Sequence, residues 1–133
     1  MSTGADNDGQ GIGQMNTARE KVRAELLTDG LADYVDLGAV DSQVTRHNPQ
    51  ASVSEVQNET LEAIRSLVND GLFQLGGLSA EGGRFVAWDG PLDELIQRVS
   101  NVYVSHYDDP PAWVWVIWMK LTDEGERAAR ALE

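Results

Sequence analysis

SVSEVQNETLEAIRSLVNDGLFQL, residues 52–75, holds a helix start, a helix face, a helix stop and the beginning of a strand in one unbroken run. Ser52 and Glu55 form a capping box, in which hydroxyl and carboxylate reach amides that the first helical turn leaves unpaired. Val56, Thr60, Ile64, Leu67 and Val68 recur at the spacing that lines one side of an α-helix. Asp70 and Gly71 close it, because glycine accepts the left-handed turn that follows a helix. Leu72, Phe73, Gln74 and Leu75 then read as a strand, with Gly76, Gly77, Gly82 and Gly83 marking turns. Residues 84–88, RFVAW, read as the returning strand, and the short polar loop at 79–83 suits a hairpin. A helix that runs straight into a hairpin makes the fold α+β.

Upstream, Thr17, Ala18, Arg19 and Glu20 repeat the capping-box pattern, and Ala18, Val22 and Leu26 follow at helical spacing until Asp29 and Gly30 stop the run. A short extended piece around Tyr34 and Val35 precedes a second helix, capped by Asp36, with Leu37, Val40 and Val44 inward. It ends before His47, Asn48 and Pro49, since the residue before proline is driven out of helical geometry. Downstream, Pro91 suits the first turn of a fourth helix over 91–107, with Leu92, Leu95, Ile96, Val99, Val102, Tyr103 and His106 on its apolar stripe. Residues 112–119, AWVWVIWM, are apolar throughout and read as a central strand. Alternation puts Trp113, Trp115 and Ile117 on one face and Val114, Val116 and Trp118 on the other, the second face needing helix 91–107 as its cover. Thr122 caps a last helix with Ala128, Ala129 and Leu132 as its apolar positions. Residues 1–16 are rich in Gly, Asn, Asp and Gln and read as a flexible tail before one domain over 17–133. The run Gly9, Gln10, Gly11, Ile12, Gly13 lacks the preceding strand that a phosphate loop requires.

Two features of this layout resemble a known family. The passage from the third helix into the hairpin resembles that of winged helix-turn-helix domains, in which three helices pack against a small hairpin. Met119, Lys120, Leu121, Thr122, Asp123, Glu124, Gly125 and Glu126 are similar to the strand-to-helix "LTxEG" passage of MarR-like and PadR-like winged-helix regulators. The chain is also similar to small actinobacterial proteins of this layout. The resemblance implies helices on a small antiparallel sheet, here with an extra helix inserted after the hairpin. It also implies a dimer that sets its third helix in a DNA groove, for which Arg46, Arg65 and Arg84 are the candidate cations.

Charge argues differently. The 133 residues carry 22 acidic against 10 basic side chains, a net charge of −12. Glu55, Glu59, Glu62 and Asp70 dominate the third helix, and carboxylates facing phosphate oppose the cation-for-counterion exchange that drives DNA binding. An acidic surface suits a basic protein partner, which makes Glu55, Glu59 and Glu62 a candidate partner face, with Trp88 and Trp118 as candidate aromatic anchors. Catalysis is poorly supported. There is no cysteine; the serines lack a nucleophile-elbow context; Glu124 and Glu126, two apart on a helix, do not face each other. His106 reads as a packed helix-end residue and His47 as an exposed loop residue, so neither a metal nor a cofactor is expected. Asn58, Glu59 and Thr60 form a glycosylation triplet inside a helix and are set aside. No run of about 18 apolar residues spans a membrane, and the first residues lack the basic and apolar regions of a signal peptide. The expectation is a cytoplasmic, non-enzymatic interaction module, with a dimeric DNA-binding regulator as the alternative.

Overall fold

A computed structural model describes the backbone of residues 3–133 and the side chains of residues 17–133. Helix α1 is Thr3–Ala32. The tail expected at 1–16 falls outside the fully described residues. Thr17 lies inside the helix and is not its cap. Gly30 does not stop α1 either, because it is a contact point: a Cβ there would stand 2.7 Å from Leu121 Cγ and 3.0 Å from Phe73 Cζ. The helix needs glycine at that place to press on the sheet.

Strand β1, Val35–Asp36, leads into α2, Leu37–His47. Asp36 holds the N-cap position, although its side chain makes no capping hydrogen bond. Helix α3, Val53–Asn69, begins with both halves of the expected capping box in place. It ends where Gly71 takes φ 74° and the Leu72 amide donates back to Leu67 O at 3.0 Å, the closure that pairs carbonyls left open at a helix end. Strands β2, Phe73–Leu78, and β3, Phe85–Ala87, form the hairpin. Helix α4, Leu92–Tyr103, follows it, so the inserted helix is present but one turn shorter than the apolar spacing predicts. Strand β4, Trp118–Leu121, and helix α5, Asp123–Arg130, complete the chain.

The four strands form one open antiparallel sheet in the order β1-β4-β2-β3. Val35 faces Met119, Leu75 faces Met119, and Phe73 faces Leu121 across the ladders. These residues turn to one face, where all five helices contribute to a single core with Leu26, Val40, Ile64, Val99 and Ala129 among its members. Thr60 is the one fully buried polar side chain among the described residues. Its hydroxyl meets Tyr103 Oη at 3.2 Å.

The run at 112–119 departs most from its reading. Pro110–Ala112 forms a 3-10 turn, residues 113–116 continue as turns, and only Trp118 onward is strand. Two consecutive prolines start the turn, and the Val114 amide returns to Pro110 O at 2.8 Å. The alternation therefore fails. Trp113 and Ile117 are buried while Trp115, expected beside them, is 64% exposed. Nor does α4 cover the second sheet face. It lies against α3 and sends Leu95, Ile96, Val99 and Tyr103 into the same core as the other helices. Leu132, expected on the inner face of α5, is exposed, because the helix ends at Arg130.

The "LTxEG" passage has a structural role. Thr122 Oγ accepts the Gly125 amide at 3.0 Å and donates to Gly71 O at 2.5 Å. The Thr122 amide donates to Leu72 O at 3.0 Å. A Cβ on Gly125 would sit 1.9 Å from that same Leu72 oxygen. Threonine caps α5 and ties it to the α3–β2 junction, and glycine lets it lie flush there.

Candidate partner-binding surface

Strand alternation sends Tyr34, Asp36, Gln74, Leu78, Phe85, Trp118 and Lys120 to the sheet face opposite the core. Tyr34, Leu78, Phe85 and Trp118 are partly buried, yet none belongs to the core or to the residues packed against it. Phe85 pairs with Leu78 across the hairpin and with Tyr34 through its ring. Tyr34, next to β1, and Phe85, in β3, come from opposite edges of the sheet and meet with ring centroids 5.6 Å apart. Gly76, in register with Trp118 on one side and Ala87 on the other, puts no side chain in the middle of this face. Trp118 meets the exposed Trp115 with ring centroids 6.1 Å apart and planes tilted by 30°, and its indole N–H donates to Trp115 O at 2.7 Å. Val116 beside them is 46% exposed.

Around the end of this face lies an open groove of about 570 Å³, between the start of α2 and the turns at 107–115. Asp36, Asp41, Tyr107, Trp113 and Trp115 line it together with smaller residues, and none of the lining residues is basic. Tyr107 and Trp113 stack at 5.5 Å with planes 8° apart, and Tyr103 meets Trp113 edge-on at 4.8 Å. Asp41 Oδ2 accepts Tyr103 Oη at 2.5 Å and Tyr107 Oη at 3.1 Å. Burial, and then the nearby Asp41 charge, push the Tyr107 phenol up to about 12; burial and the Asp41 hydrogen bond raise Tyr103 further. Loss of hydration also raises the Asp36 carboxyl, against the opposing pull of backbone amides at the start of α2.

The residues singled out from sequence scatter over the molecule. Glu55 is exposed and its carboxylate accepts the Ser52 amide, which holds its pKa low. Glu59 receives both ends of the Arg19 guanidinium at 2.8 Å, binding α3 to α1. Glu62 is exposed on the same side of α3. Trp88 lies on the core side of β3 with the Arg98 guanidinium 3.7 Å above its ring. Trp118 is on the opposite face, so the two tryptophans do not form one patch. Arg65 is paired with Asp93 of α4, Arg46 stands 3.9 Å from Glu25, and Arg84 lies in the hairpin. Arg46 and Arg65 are engaged by different carboxylates, on α1 and α4 respectively. His106 is exposed beyond the end of α4 and is not packed, because the helix stops three residues earlier. His47 is not a loop residue: it closes α2 half-buried, with Nε2 3.0 Å from Glu25 Oε2.

Sequence reasoning did not single out Asp36, Asp41, Tyr34, Phe85 or Trp115 as a surface. The available signal was the proline pair before Trp113, which breaks the alternation assumed for 112–119. Among the described residues no group of three His, Asp or Glu side chains could hold a metal ion. No described helix is long and apolar enough to cross a membrane. Compared with protein-family models, curated protein sequences and solved structures, the chain matches none of them.

Proposed function

We propose that this protein is a non-enzymatic, cytoplasmic interaction module that docks a basic partner protein on the outer face of its sheet. The observation that carries the reading is two aromatic pairs on that face, Tyr34 with Phe85 and Trp115 with Trp118, which lie outside the core and leave Trp115 64% exposed. Aromatic side chains that folding does not need are the usual anchors of interfaces. The net charge of −12 and the two carboxylates in the adjoining groove select the sign of the partner and steer its approach. The winged-helix-like layout belongs to the same proposal, supported by the run of α3 through Gly71 into the β2–β3 hairpin. The electrostatics do not favour DNA as its ligand, since Arg65 and Arg46 face carboxylates of the chain itself.

The test is site-specific photo-crosslinking in cells with a benzophenone amino acid at position 115 or 118, and at Val104 as an exposed control. The expected result is one heteroprotein adduct from positions 115 and 118 and none from 104. With that protein purified, Trp115→Ala should weaken binding at least about tenfold, and added salt should slow association. Adducts only with a second copy of this chain, or equal yields at all three positions, would overturn the reading.

A further inference from the structure

The groove beside the aromatic face has a chemistry of its own. Seven ion pairs occur among the described residues, and they engage Glu25, Glu59, Asp70, Asp93, Glu124 and Glu126. Asp36 and Asp41 take part in none of them. Both stand partly withdrawn from water in a groove of about 570 Å³ whose lining contains no cation. A partly buried carboxylate without a counter-charge is costly, and here two share one cleft. Asp41 is held in position by two tyrosine hydroxyls, which stiffens the carboxylate without neutralising it. Trp115, 64% exposed, lines the same groove with Val114 and Trp113.

A positive, planar group on an apolar stem suits each of these parts. Guanidinium stacks on indole faces and forks onto carboxylates, while its methylenes cover apolar wall. We propose that this groove is the receptor for an arginine side chain of the partner, its guanidinium between Asp36 and Asp41 and against Trp115. The inference rests on the interaction-module reading above and names the side chain that reading lacks.

The probe is N-acetyl-arginine methylamide, titrated into the full chain and followed by two-dimensional NMR of backbone amides and indole N–H groups. Its neutral isostere N-acetyl-citrulline methylamide serves as control. Saturable shifts are expected at the Trp115 indole and at the amides of Ala39, Asp41 and Ser42, and citrulline should produce at most about one-fifth of the affinity. Trp115→Leu, at an exposed site, should abolish the shifts while leaving the rest of the spectrum in place. Asp36→Asn should weaken them, and it leaves the Asp41–tyrosine contacts intact. Equal response to citrulline, no response, or shifts centred on Glu55 and Glu62 would overturn the proposal. If the groove fails in this way while crosslinks from position 118 persist, the interaction module stands and only its arginine receptor falls.

Discussion

Asp41 shows how one side chain serves both folding and surface chemistry. Its Oδ2 accepts two phenols, from Tyr103 at the end of α4 and Tyr107 in the turn after it, so it fastens α2 to the aromatic cluster around Trp113. Hydrogen bonds to a charged acceptor are stronger than neutral ones, and deprotonating either phenol would set two negative charges together. Burial first, and then the Asp41 charge, push the Tyr107 phenol up to about 12, above the ordinary tyrosine value of about 10. The facing groups, Asp41 and Asp108, are both acidic and both raise it. A raised value means that the native state favours the neutral phenol. The resulting stabilisation is fully present below pH about 10 and is lost as pH rises through about 12. Ultraviolet titration of the phenolates should show two late tyrosines, Tyr107 and Tyr103, in the folded protein, and Asp41→Asn should move both to lower pH. A Tyr107 that ionises at the unfolded value would contradict this contact. No sequence pattern pointed to the trio, because its members lie 62 and 66 residues from Asp41 and meet only after the helices pack.

At the scale of elements, legibility followed local signals. Helix α3 is legible to its ends because cap, stripe and stop are all written within about 20 residues of chain, whereas helix α5 is legible only at its start, where Thr122 caps it. The segment at 112–119 is not legible in the same way, because a run of β-rich apolar residues does not distinguish a strand from a buried turn. The two prolines and the indole hydrogen bond from Trp113 to Tyr107 O at 3.1 Å decide it. That turn is what releases Trp115 to the surface, so the site is legible in the sequence only to a reading that breaks the strand at the prolines. Helix α5 offers a stringent test of element packing. Gly125→Ala places a methyl group 1.9 Å from the Leu72 carbonyl oxygen, a backbone atom that cannot swing aside. Overpacking of this kind costs about 1–3 kcal/mol, and urea denaturation should show a loss toward the upper end. An unchanged midpoint would mean that α5 is not seated on the α3–β2 junction.

At the scale of the whole molecule, charge and topology act together. The outward carboxylates of α3 sit on the helix that would have to approach a phosphate backbone, and the chain carries −12 overall. Anisotropy of duplex DNA should therefore not rise with protein up to about 100 μM at about 50 mM salt, conditions that favour non-specific contacts. A steeply salt-sensitive rise would return attention to Arg46, Arg65 and Arg84. The sheet order β1-β4-β2-β3 has a consequence in time. Strand β4, at 118–121, is made after the other three strands and lies between β1 and β2, which have no ladder with each other. During synthesis β1 and the β2–β3 hairpin must wait, their inner edges unpaired, until the ribosome releases the strand that joins them. Nascent chains stalled before that point should keep helices and a hairpin without a sheet, and these open edges are what a chaperone would meet first.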